Sequence, residues 1–171
     1  MVFEGEVILI FIHRRMVILF NSEKEIIQLA AGFTNQTLDK NKWTHEAHLT
    51  VAIWHLRNYD LLEATCLLRS GIISYNLSTG SKNTGSEGYH ETLTLFWVSI
   101  IDFYVTRQIS KTLLETCNNF LNSTLADKAL PFYFYEKQNI LSAKARAYFI
   151  PSDKTPVNNE TLEILLKKKQ P

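Results

Sequence analysis

The chain has 171 residues, 46% apolar and 20% charged, with a formal net charge of +1. That size and apolar content suit one well-buried globular core, and the balanced charge gives no electrostatic basis for a nucleic-acid partner. Its two cysteines show neither CxxC nor Cys/His finger spacing, which excludes a zinc-finger framework.

Taken in chain order, Val7–Ile12 and Met16–Phe20 are apolar runs split by His13-Arg14-Arg15. Neither reaches the roughly 18–20 residues needed to cross a bilayer, so no membrane partner is expected. The basic residues follow the first run and no small-residue cleavage site appears, which argues against a signal peptide. Residues 1–21 are read as a segment apart. They form either two β-type pieces packed on the body or, as preferred here, a stretch around a mis-set start with Met16 the true beginning. His13 receives no role.

Helix signals begin at Ser22, where Ser22-x-x-Glu25 reads as a capping box opening a helix that stops near Gly32. A polar loop spans 34–42. Thr44 can cap a second helix to about Asn58, and Asp60-x-x-Glu63 opens a third, weakened at Gly71 and ending before Gly80. Residues 79–88 (TGSKNTGSEG) hold three of the six glycines and read as a flexible loop. A fourth helix runs from about Tyr89 to Gln108, and Ser110 caps a fifth to about Leu121. After Pro131, Phe132–Tyr135 is either a short strand or a helix start. Ser142 caps a helical turn through Phe149. Asn158 or Asn159 caps a last helix, whose terminal Lys167–Lys169 complement its dipole. Residues 22–171 are thus expected to form one all-α domain, a bundle of five to seven helices. Cys66 and Cys117 lie in apolar helical patterns and are expected to be buried free thiols, consistent with a reducing cytoplasmic setting.

Four of the five histidines fall in or beside two motifs, Trp43–Leu49 (WTHEAHL) followed by His55, and Gly88–Thr92 (GYHET). At about 100° per residue, His45, His48 and His55 share one sector of roughly 80° on the second helix, with Ala52 between them. Glu46, Thr50 and Arg57 lie about opposite, so the histidines are expected to face the interior. His90, in the first turn of the fourth helix beside Trp97 and Ile101, can face His45 and His48. Buried imidazoles need hydrogen-bond partners or a ligand. One reading is therefore a site with His45, His48 and His90 as ligands to Zn²⁺ or another divalent metal. The other is that each ring bonds a backbone carbonyl or carboxylate and fixes helix packing. The spacing of His45 and His48 is not HExxH, and His55 is read as packing.

Trp43, Tyr89 and Trp97 are candidate walls of a small-molecule pocket. Glu91 is a candidate base, although its helical phase turns it away from the histidines. Residues 79–88 are a candidate lid, and Ser86 is a weak candidate nucleophile.

Together with Gly71-Ile72, Tyr75-Asn76 and Ser142-x-x-Ala145-Arg146, the two histidine motifs resemble a family of small, uncharacterised, mostly bacterial helical proteins over about residues 22–156. The resemblance implies that the two motifs serve one site and supplies no substrate. It also places Arg146 and Lys137 at basic positions able to return to that site as anion clamps. The expected function is a histidine-lined metal or small-molecule site, in one version a metal-dependent hydrolase. The alternative is a non-catalytic helical binding or scaffold protein.

Overall fold

The computed structural model describes residues 19–167, and every regular element among them is helical. The first apolar run, His13, the Met16 start and Lys168-Lys169 lie outside the described residues. Six helices have seven or more residues: α1 (Glu23–Thr34), α2 (His45–Asn58), α3 (Leu61–Ser78), α4 (Glu91–Val105), α5 (Leu113–Leu121) and α9 (Asn159–Lys167). Three short ones, α6 (Pro131–Phe134), α7 (Lys137–Ile140) and α8 (Ala143–Ala147), build the segment before α9. Single 3₁₀ turns occupy Lys40–Lys42 and Thr124–Ala126. The expected all-α class is the observed one. No helix of the described residues is long and apolar enough to cross a membrane.

Local chemistry sets most boundaries. Thr44, Asp60 and Ser142 each accept a hydrogen bond from the backbone amide three residues on, at Ala47, Glu63 and Ala145. Asn158 does the same for Thr161. Other expectations need correction. Ser22 precedes α1, but its hydroxyl turns to the Glu25 carboxylate and caps no amide. Thr112, not Ser110, opens α5, through a reciprocal capping box with Glu115. Of the two readings at Phe132–Tyr135, the helix start is the observed one, as Pro131–Phe134 form a helical turn. Gly71 does not weaken α3. A Cβ there would sit 2.6 Å from Phe33 Cζ, so the glycine lets the Phe33 ring seat directly on the α3 backbone. Cys66 is exposed, whereas Cys117 is buried as expected, and both are free thiols.

The largest correction concerns α2. A one-sided helix was expected, yet it packs on α1, α3, α4 and α5 and is buried almost all round. Three of its polar residues tolerate this by bonding carbonyls one turn back along the same segment. The Thr50 hydroxyl donates to Glu46 O, and the Nδ1–H groups of His48 and His55 donate to the carbonyls of Thr44 and Val51. Arg57, expected on the solvent face, donates to the carbonyls of Gln108 and Lys111, the segment leading into α5. The core continues through Phe96, Ile100 and Ile101 of α4 to Phe120, Phe134 and Leu162.

Candidate functional site

The first turn of α2 lies beside α3 and α4, and the three helices enclose a cavity of about 370 Å³. Six of the candidate site residues singled out from sequence line it: Trp43, His45, His48, Tyr89, His90 and Trp97. Leu49 and Ala52 of α2, Leu68 and Ile72 of α3, and Leu93 and Ile101 of α4 supply an apolar remainder. Two tryptophans flank the histidine pair. The Trp43 ring lies against His48 with centroids 3.8 Å apart, and Trp97 meets His45 edge-on at 5.1 Å. Trp43 is backed in turn by Phe33, stacked at 4.8 Å.

The three imidazoles converge on this cavity but differ in what their nitrogens are free to do. His90 is not in the first turn of α4 but caps it: Nδ1 accepts the Leu93 amide at 3.2 Å, and Nε2–H donates to Ile140 O at 2.8 Å. Both ring nitrogens are thereby committed to backbone. His45 Nε2–H donates to Ala126 O at 2.9 Å, which leaves Nδ1 as its acceptor nitrogen. His48 donates from Nδ1 to Thr44 O at 2.7 Å, so Nε2 keeps its lone pair. Metal ligation by all three would require His90 to give up one of its backbone bonds. Among the described residues, no group of three or more His, Cys, Asp or Glu side chains is placed to hold a metal ion.

Burial governs the electrostatics. It holds His48 down to about 4, with the neighbouring His45 adding in the same direction and the bond to Thr44 O opposing. It also lowers His55, and it lowers His90, on which the Arg146 guanidinium acts in the same sense. These rings are neutral near pH 7 and act as hydrogen-bonding groups, not cations. Their folded values lie below the ordinary 6.5, so the unfolded chain takes up protons first as pH falls. Stability from these groups is therefore complete above pH 6.5 and drains away towards pH 4. The slope approaches about 1.4 kcal/mol per pH unit for each proton gained on unfolding. Urea midpoints at pH 7.5, 5.5 and 4.5 measure this, and His48→Gln is expected to flatten the dependence.

Glu91 does not face the cavity, as its helical phase implied. Its carboxylate binds the Arg69 guanidinium and accepts from the Tyr89 hydroxyl at 2.5 Å. Tyr89 is pushed up to about 12 by burial and by this carboxylate. Glu91 thus braces the cavity wall through Tyr89, and no general base is placed at the cavity by it. Arg146 is also a brace: its guanidinium donates to Gly88 O at 2.9 Å and Tyr89 O at 3.1 Å, outside the cavity lining. Lys137 is exposed on α7, and Ser86 is exposed in its loop, bonded to Thr84; neither lines the cavity.

Residues 79–88, expected as a lid, are tied down by a residue that sequence reasoning passed over. Asn83 Oδ1 accepts from Asn76 Nδ2 and from the Tyr89 amide, both at 2.9 Å, while Asn83 Nδ2 donates to Ile73 O. The turn closes so tightly that a Cβ at Gly88, where φ is +76°, would lie 2.0 Å from Lys82 O. Arg69 and Thr92 were also missed. No spacing rule marks either, since their partners lie 22 and more than 50 residues away.

No protein-family model matches the chain, and no curated protein or solved structure is similar to it at a meaningful level. The resemblance drawn from the two histidine motifs therefore stands on those residues alone.

Proposed function

We propose that the chain is a binding protein for a small apolar or aromatic molecule held between α2, α3 and α4. One observation carries this reading: the cavity of about 370 Å³ combines aromatic walls, Trp43 and Trp97, with two imidazoles, His45 and His48, that each commit only one ring nitrogen to backbone. Small-molecule sites have this composition, a mainly apolar lining with a few placed polar groups. His45 Nδ1 and His48 Nε2 would accept from a ligand N–H or O–H, and the tryptophans would sandwich its body. A divalent metal and hydrolysis are less well supported, because His90 is committed to backbone and Glu91 to Arg69. A reducing, cytoplasmic setting belongs to the same reading, since both cysteines are free thiols.

Calorimetric titration with indole tests it. The expected result is one site with Kd of about 0.1–1 mM, reasonable for so small a ligand. Ala52→Trp, which fills the cavity, is expected to abolish the heat, and the milder Ala52→Leu to weaken it. Indole heats unchanged by both substitutions would overturn the proposal. So would stoichiometric zinc that survives purification and disappears in His48→Ala.

A further inference from the structure

The cavity does not end at Trp43 and His48. A second chamber of about 530 Å³ adjoins the first, and Trp43, His48, Ile72 and Gly88 line both, forming the waist between them. The chambers differ in chemistry. The inner one is walled by leucine, isoleucine and aromatic side chains, whereas the outer one is lined by Lys40, Asn76, Ser81, Lys82 and Glu87. Lys40 comes from the 3₁₀ turn before α2 and Lys82 from the pinned 79–88 turn, so two cations approach the mouth from separate segments. Among the described residues neither ammonium has a hydrogen-bond or ion-pair partner. Glu87 is the single acid of that lining, which leaves the chamber with a surplus positive charge once His48 is neutral.

Resting on the small-molecule reading above, we infer that the ligand is an amphipathic anion. Its apolar body occupies the inner chamber, and it extends beside the packed Trp43 and His48 rings, past Ile72 and Gly88, to set a carboxylate-class head between Lys40 and Lys82. Unpaired lysines at the mouth of an apolar cavity favour this arrangement, because the head stays solvated while the tail is removed from water. Neutral His48 at the waist lets the apolar segment pass without meeting a second charge. The lysines are exposed, so their contribution is moderate and sensitive to salt.

Parallel calorimetric titrations with octanoate, octanol and octyltrimethylammonium separate the parts of the inference. Octanoate is expected to bind about tenfold more tightly than octanol, equivalent to one or two exposed ion pairs, and the ammonium more weakly than either. Raising salt from 50 to 500 mM on the order of tenfold is expected to erase most of the octanoate advantage and leave octanol unchanged. Lys40→Met/Lys82→Met is expected to bring octanoate to the octanol level. Both side chains are exposed, so the double variant should fold normally; Lys40→Glu/Lys82→Glu provides the second check by favouring the ammonium. Octanol binding as tightly as octanoate, indifferent to both double variants, would overturn the anionic head while the cavity reading stands. Failure of all three probes while indole still binds would overturn the amphipathic anion alone, and failure of indole as well would overturn both.

Discussion

Thr92→Val is expected to destabilise the protein by about 2–4 kcal/mol, although the two side chains have nearly the same shape. Thr92 is fully buried in the first turn of α4, and its hydroxyl serves three backbone groups of the distant 143–150 segment. It lies 2.7 Å from Ala145 O and 2.8 Å from Tyr148 O as donor, and it accepts the Ile150 amide at 3.1 Å. Valine removes all of this and strands an N–H and carbonyls beside a fully buried position. The effect should appear as a lowered urea midpoint, and Thr92→Ser should recover most of the loss. Equal damage from Ser and Val would show that packing of the methyl group, not the hydroxyl, holds the segment.

Gly88→Ala is expected to be comparably severe, about 3 kcal/mol, because two penalties coincide there. The backbone sits at φ +76°, and an added Cβ would lie 2.0 Å from Lys82 O and 2.8 Å from Asn83 Oδ1. Relief requires the 82–88 turn to open, which pulls Asn83 from Asn76 and Ile73 and deforms the waist shared by the two chambers. Gly80 supplies the control. It has φ +74° but nothing within 4 Å of an added Cβ, so Gly80→Ala should cost only the conformational strain, about 1 kcal/mol. Thermal unfolding reads both, at roughly 2–4 °C per kcal/mol for a chain of this size. Equal shifts for the two variants would contradict the close approach at Gly88.

In these terms the GYHET motif is a knot. Gly88 permits the turn, Tyr89 and Glu91 brace Arg69, His90 caps α4 while holding Ile140, and Thr92 holds Ala145, Tyr148 and Ile150. Both motifs also open onto the cavity, WTHEAHL through Trp43, His45 and His48 and GYHET through Gly88, Tyr89 and His90.

What was legible in the sequence is what depends on near neighbours. The caps at Thr44, Asp60 and Ser142 act over three residues, so their spacing revealed them. Helical phase placed His45, His48 and Ala52 on one cavity wall and turned Glu91 away, because a 100° step per residue needs no tertiary information. The commitments that decide chemistry were not legible. His90 closes both of its bonds only when Ile140 arrives from 50 residues away, and a histidine is an uncommon helix cap. Thr50 and Arg57 read as a solvent face because their partners, a carbonyl one turn back and the loop before α5, satisfy them out of water. Cys66 sits in a run of leucines that pattern as core, yet Leu62, Leu67 and Leu77 of α3 are themselves exposed, so hydropathy misplaced that face.

The central claim is that the space between Trp43 and Trp97 receives an organic molecule, with His45 and His48 as hydrogen-bond acceptors. A crystal structure of the protein soaked with indole and zinc together tests it most directly. The account predicts planar density between the two tryptophans, its N–H directed at His45 Nδ1 or His48 Nε2, and His90 still bonded to Ile140 O. Zinc bound by the imidazoles, with His90 released from Ile140 and no indole in the cavity, would contradict it.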